Sequence, residues 1–248
     1  LKIKIEDQVP KPSKADVKEY FKVVQRHLPG RSFDEVRQDL SAQLRQERMG
    51  EKFGSYIASL REKYQTKSTL PYPDLPRVEI PLDAADPAMG KENAPVTIVE
   101  FGEYECYFCA SVMPTLDQLL EAYPDDIRIV FKDFPLGNHT RAMPAAQAAH
   151  CSGEQGKYWE MNRQMLSNQG ELEDSHFMSY AQKIGLDVDA FEKCYRSGRH
   201  EITVSSNQAL GEVIGVQATP TFFVNGLLLS GAQPYERFVS IIEGEIKE

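Results

Sequence analysis

No uninterrupted apolar run in the 248 residues approaches the roughly 18 that a membrane-spanning helix requires. Internal repeats and low-complexity tracts are missing too, which excludes solenoid, propeller and fibrous architectures. Histidine occurs five times and cysteine four times. No second C-x-x-C and no H-x-x-x-H accompanies Cys106 and Cys109, so the four ligands of a structural zinc site are not supplied and no metal is expected. Positive charge is scarce after the first 70 residues. That stretch carries 15 Lys/Arg against 10 Asp/Glu, or +5, whereas the remainder carries 13 against 27, or −14. So acidic a body will not bind nucleic acid through its phosphates. The basic arm mixes both signs along helices, which reads as a solvated face. No secretory leader is visible. Leu1 opens a charged stretch, and a chain that begins without Met is expected to have been processed, so compartment is not decided there.

What is present is 41% hydrophobic and 26% charged, the profile of a globular chain. Ser13 is read as the N-cap of a helix to about His27, with Val17, Phe21 and Val24 inward, broken by Pro29-Gly30. Ser32 with Glu35 forms a capping box for a second helix. Its stripe (Phe33, Val36, Leu40, Leu44, Met49, Phe53, Ile57, Leu60, Tyr64) runs for about 45 Å at 1.5 Å per residue. Such a stripe must pack on the first helix, on the next domain or on a second chain, and pairing in a homodimer is expected. Residues 1–68 are therefore an N-terminal helical arm. Residues 69–91 are a proline-rich linker with a short edge strand around Arg77–Ile80. From 92 to 248 the pattern is βαβ, then a helical stretch at about 141–213, then a hairpin and a helix. The hairpin is Thr221–Val224 and Leu227–Ser230 across Asn225-Gly226, and a last helix begins at Pro234.

Cys106-Tyr107-Phe108-Cys109 falls where a strand, Val96–Phe101, gives way to a helix. There, unpaired N–H groups and the helix dipole stabilise a thiolate. Cys106 is read as the exposed nucleophile and Cys109 as the buried resolving thiol. A zinc half-site and incidental cysteines are the competing readings.

From about 92 to 246 the chain resembles the DsbA-like branch of the thioredoxin-fold oxidoreductases. The resemblance is carried by Ala94-Pro-Val-Thr-Ile-Val-Glu-Phe101, Cys106-Tyr-Phe-Cys109, Phe134-Pro-Leu136, Gly156-Lys-Tyr-Trp159 and Gly215-Val-Gln-Ala-Thr-Pro-Thr-Phe-Phe-Val-Asn-Gly226. It implies an α/β thioredoxin-like fold interrupted by an α-helical domain. It also implies dithiol–disulfide exchange without a cofactor, in a periplasmic or otherwise extracytoplasmic setting. The partners would be exported polypeptides with cysteines and a membrane or soluble protein that resets the pair. By the same resemblance Thr219-Pro220 is a cis-proline edge that receives substrate together with Tyr107 and Phe108, against an ordinary trans proline. Glu100 matches a buried acid of that family. Its carboxyl would carry a raised pKa and relay protons to Cys109, with Lys132 as a partner; the other reading is a solvated pair on an exposed sheet face. Cys151 and Cys194 match a paired position in some relatives, so a structural disulfide stands against free buried thiols.

The sequence departs from that family in ways that bear on chemistry. Nothing cationic lies between the thiols and Glu105 precedes Cys106, which argues for a less strongly oxidising couple than DsbA. Thr219 before the proline resembles the disulfide isomerases, so oxidant, reductant and isomerase stay open. His139 is read as a surface or capping residue and Trp159 as core of the insert. Ser32-Phe-Asp-Glu-Val-Arg and Tyr56-Ile-Ala-Ser-Leu-Arg-Glu-Lys63 weakly resemble a helix of SurA-type foldases. That implies peptide holding, and an export chaperone using a thioredoxin-like platform is the rival to an oxidoreductase.

Overall fold

The computed structural model describes residues 9–24, 32–64 and 76–247. The chain divides into two units, Leu1–Pro73 and Asp74–Glu248, a boundary inside the expected 69–91 linker. The C-terminal end of the first helix, the Pro29-Gly30 break and linker residues 69–75 lie outside the described residues.

In the first unit, helix α1 (Lys14–Val24) is opened by a reciprocal cap. Ser13 Oγ accepts from the Asp16 amide at 3.1 Å, and Asp16 accepts from the Ser13 amide at 2.8 Å. At helix α2 (Phe33–Tyr64) the Ser32 amide donates to Glu35 at 2.6 Å, one limb of the predicted capping box. Val17, Tyr20 and Phe21 of α1 bury against Val36 and Leu40, with Phe33 and Leu44 at the margin. The shorter helix thus covers only the beginning of the stripe. Farther along, Phe53 is 44% exposed and Tyr64 is 64% exposed.

The second unit is built on a sheet with, among the described residues, the order β1-β3-β2-β4-β5. Strands β2 (Val96–Gly102) and β3 (Ile127–Asp133) are parallel, joined by helix α3 (Tyr107–Ala122). Strands β1 (Ala88–Gly90), β4 (Thr221–Val224) and β5 (Leu227–Ser230) add antiparallel. The edge strand expected at Arg77–Ile80 forms later in the chain, at Ala88–Gly90. At 77–80, Pro76 and Pro81 bracket the segment, and it meets the hairpin through Val78 N–H donating to Gly226 O at 2.9 Å.

Alternation sorts the strands into two buried faces. Val96, Ile98, Ile127, Ile129, Phe222 and Val224 pack on α3 and on helix α9 (Tyr235–Lys247). Val99, Phe101, Val130 and Phe223 pack with Phe134, Val216 and the end of helix α8 (Glu201–Val213). Glycine is required on α8: a Cβ on Gly211 would stand 2.6 Å from the Phe134 ring. The hairpin closes through Asn225 (φ 44) and Gly226 (φ 82), left-handed conformations that this dipeptide tolerates.

Between β3 and β4 lie helices α4 (Ala142–Gly153), α5 (Tyr158–Ser167), α6 (Asp174–Lys183), α7 (Val188–Ser197) and α8. Small residues of α4 (Ala145, Ala146, Ala148, Ala149) let the insert close over Tyr104 and the C-x-x-C pair in one core. Cys151 of α4 and Cys194 of α7 form a disulfide, Cα–Cα 5.7 Å. Trp159 ties the insert to the sheet edge, its Nε1–H donating to Ala88 O at 3.0 Å.

Candidate active site

Strand β2 ends at Gly102, and four residues later Cys106 stands as the N-cap of α3 in extended conformation. This follows from the sequence: the β-rich run stops at glycine, and helix-forming spacing begins past the first cysteine. Both thiols are free. Cys106 is not the exposed thiol expected: the helical insert packs over the helix start and leaves it buried, at 5% exposure, while Cys109, one turn on, has none. Hydrogen bonding by the Cys109 thiol, with a further contribution from the Cys109 amide, outweighs burial and pulls the Cys106 thiol down to about 7. Burial drives Cys109 well above its ordinary value. The pair is thus polarised into a nucleophile and a reserve proton carrier.

Thr219-Pro220 is cis, and Cys106 Sγ donates to Thr219 O at 3.2 Å. The Thr219 hydroxyl is buried without a hydrogen-bond partner. When Cys106 ionises, Sγ stops donating and becomes an acceptor, and this hydroxyl is a donor at hand for it. Beside the thiols, Tyr107 is half-buried and Phe108 is 46% exposed, their rings 5.4 Å apart.

Glu100 lies on the α3 face of the central strand, buried, with its carboxyl raised to about 8 by desolvation and, secondarily, by Cys106. Lys132 is not its partner. Glu100 sits opposite Phe131 while Lys132 sits opposite Phe101, which places the lysine on the other face. There Lys132 bonds Asp86 at 2.7 Å. Register decided this, and register follows from the β2–β3 pairing.

The loops around the thiols hold residues that sequence reasoning did not assign. His139 is not a surface residue: its ring is nearly buried, and Nδ1 meets Glu103 Oε1 at 2.6 Å. The segment after β3 folds back over the loop after β2, and the Arg141 amide donates to Glu105 at 2.6 Å. Gln169, in the turn between α5 and α6, donates through Nε2 to Tyr104 O (3.0 Å) and Cys106 O (2.7 Å), clamping the cysteine's backbone from the insert. Nothing local in the sequence marks Gln169. Glu103 had a signal in its place three residues before the nucleophile. Cys151, Cys194 and His200 bring three ligand-type atoms within 4.8 Å of one another, but both sulfurs are consumed by the disulfide.

A family model described as thioredoxin matches residues 83–244, well over half of the chain. The chain belongs to the thioredoxin family. Solved thioredoxin-family structures similar to it include a thioredoxin-like oxidoreductase from Silicibacter pomeroyi. It is 25% identical at a TM-score of 0.62, covering 67% of this chain and 95% of that one. The thiol-disulfide exchange protein alpha-DsbA2 from Wolbachia pipientis is 25% identical at a TM-score of 0.60, over 65% and 88% of the two chains. The match is therefore to DsbA-like thiol–disulfide oxidoreductases, on a mixed α/β sheet with helices. Among curated sequences, the Na(+)/H(+) antiporter NhaA 1 of Salinispora arenicola is 37% identical over 149 residues. That is 59% of this chain, which spans only about a quarter (23%) of the antiporter's length. No helix among the described residues is long and apolar enough to cross a membrane.

Proposed function

We propose that this thioredoxin-family chain exchanges disulfides with exported, cysteine-containing polypeptides through Cys106 and Cys109. The observation that carries the reading is the unequal pair at the start of α3: one thiol pulled down to about 7, beside the Thr219 carbonyl, and the other buried and pushed up. In the reducing direction the Cys106 thiolate attacks a substrate sulfur and the substrate S–S bond breaks. One substrate sulfur leaves as thiolate and the other stays bonded to Cys106. Cys109 then gives up its proton and attacks Cys106 Sγ, which forms the Cys106–Cys109 disulfide and releases the second substrate thiolate. Glu100 would take that proton when it is itself in the carboxylate form, a stronger base than an ordinary carboxylate because burial raises its pKa to about 8. Run backwards, the same steps oxidise a substrate dithiol.

The cis edge at Thr219 and the rings of Tyr107 and Phe108 would hold an extended substrate chain by backbone pairing and apolar contact. No metal or organic cofactor enters these steps. An extracytoplasmic setting is supported by the bridged Cys151–Cys194, since such bonds persist under oxidising conditions. A separate redox protein must reset the pair after each turnover. Insulin reduction by wild type and Cys106→Ser tests the reading, with loss of activity expected in the variant. No reduction above background by either protein would leave a peptide-binding platform without redox chemistry, and equal reduction by both would remove Cys106 from the reaction.

A further inference from the structure

Glu103 takes no part in the steps above, yet it is a buried acid three residues before the nucleophile. Its side chain is 1% exposed and both oxygens are engaged, Oε1 by His139 Nδ1 at 2.6 Å and Oε2 by the Glu105 amide at 2.7 Å. Ionised, Glu103 is a like charge to the Cys106 thiolate and opposes its formation. Water cannot screen a group so enclosed, so its compensation must come from the protein. The groups facing His139 include Glu103, Glu105 and Cys106, all anionic or able to become so, and Glu105 is itself held by the Arg141 amide. Those facing Cys106 are Cys109, Thr219, Glu103 and Glu100. Among the groups named, the imidazole is the one that can carry positive charge.

We propose that His139 is a positioning residue of the exchange reaction: as an imidazolium bonded to Glu103 it cancels that buried charge, keeps Cys106 an acidic thiol, and pins the loop that presents it. The hydrogen bond to Glu103 also raises the imidazole above 6.5. Below its pKa the pair is neutral. As pH rises through it, His139 loses its proton and Glu103 acts on Cys106 uncompensated. The inference rests on Cys106 being the nucleophile.

The test is the rate at which iodoacetamide labels Cys106, read by site-resolved mass spectrometry against pH, in the reduced full chain. Wild type, His139→Gln, Glu103→Gln and the double variant are compared. His139→Gln is expected to label about tenfold more slowly at pH 6, because one uncompensated charge shifts the thiolate fraction by about a decade. Glu103→Gln should label at least as fast as wild type, and the double variant should return to within about twofold of Glu103→Gln. A residue that only packs the loop would slow both single variants and leave the double worst, which overturns the proposal. If His139→Gln does not fold, linkage supplies a second measurement on intact side chains. The imidazole resonances of His139 are titrated in reduced wild type and in Cys106→Ser. A thiolate stabilised by imidazolium must stabilise it in return, so the serine variant should titrate at lower pH. An unchanged midpoint overturns the proposal. Absence of Cys106 labelling in wild type at every pH would instead defeat the exchange reading, and the role of His139 with it.

Discussion

Replacing both Cys151 and Cys194 with alanine tests how the helical insert is held. The bond joins α4 to α7 across 43 residues of chain, and both sulfurs lie in the core that also contains Cys106 and Cys109. Cross-linking a loop of that length removes about 13 cal/mol/K from the unfolded ensemble, or about 4 kcal/mol at 25 °C. For a unit of this size that corresponds to roughly 8–16 °C in melting temperature. Trp159 is the sole tryptophan, packed between Phe131 and Tyr158 and bonded to Ala88 O. Its fluorescence therefore follows the unit in which the bond lies. Melts of the oxidised wild type and the double variant should differ by that amount, while insulin reduction at 25 °C stays within about twofold. Two results would refute the reasoning. One is a melting difference below about 3 °C. The other is four alkylated thiols in denatured, unreduced protein, which would mean that the bond is not formed.

Iodoacetamide should label Cys106 well before Cys109 in the reduced protein, with a titration midpoint about 7 set by the Cys109 hydrogen bonds; equal labelling would reverse the roles. Glu100→Gln is expected to slow resolution of the mixed disulfide and to alter stability with a definite sign. The folded pKa is about 8 against an ordinary 4.5, so the wild type's proton-linked stability is full below about 4.5 and is lost as pH rises to 8. Denaturant melts should show the variant gaining on wild type across that window, by a few kcal/mol at its end, and parallel pH curves would contradict it. Equilibration with glutathione should place the couple below DsbA's, more reducing than about −120 mV; a value at or above that figure would mean that the hydrogen bonds at Cys106 outweigh the missing cation. The exposed stripe of α2 from Phe53 to Tyr64 is expected to pair with a second copy. Sedimentation of the full chain beside a fragment beginning at Thr69 checks this, and two monomers would refute it.

Most of the α/β unit was legible in the sequence because its signals are local. Val96–Phe101 and Ile127–Phe134 are β-rich runs in the sequence, and the strands form at Val96–Gly102 and Ile127–Asp133. Asn225-Gly226 dictates a hairpin between strands whose bounds match the reading. Within the helical stretch, Gly156, Gly170, Gly185 and Gly198 punctuate the sequence, and each falls between two helices of the insert. The thiol pair was legible for the same reason, since a strand-to-helix junction is written in neighbouring residues. The edge strand was displaced because pairing, not propensity, selects which extended segment joins β3.

What only tertiary structure decided were the partners across the chain. Parity alone could not say that Lys132 faces away from Glu100 toward Asp86; the β2–β3 register did. Nor could a lone histidine in a loop announce that it meets Glu103, 36 residues earlier, or Gln169 that it grips the Cys106 carbonyl 63 residues away. Composition and periodicity report what each residue does to its own segment. The pKa of a buried thiol depends on which charges and donors folding brings within a few ångströms of it, and that information exists only once the loops have closed over the helix start.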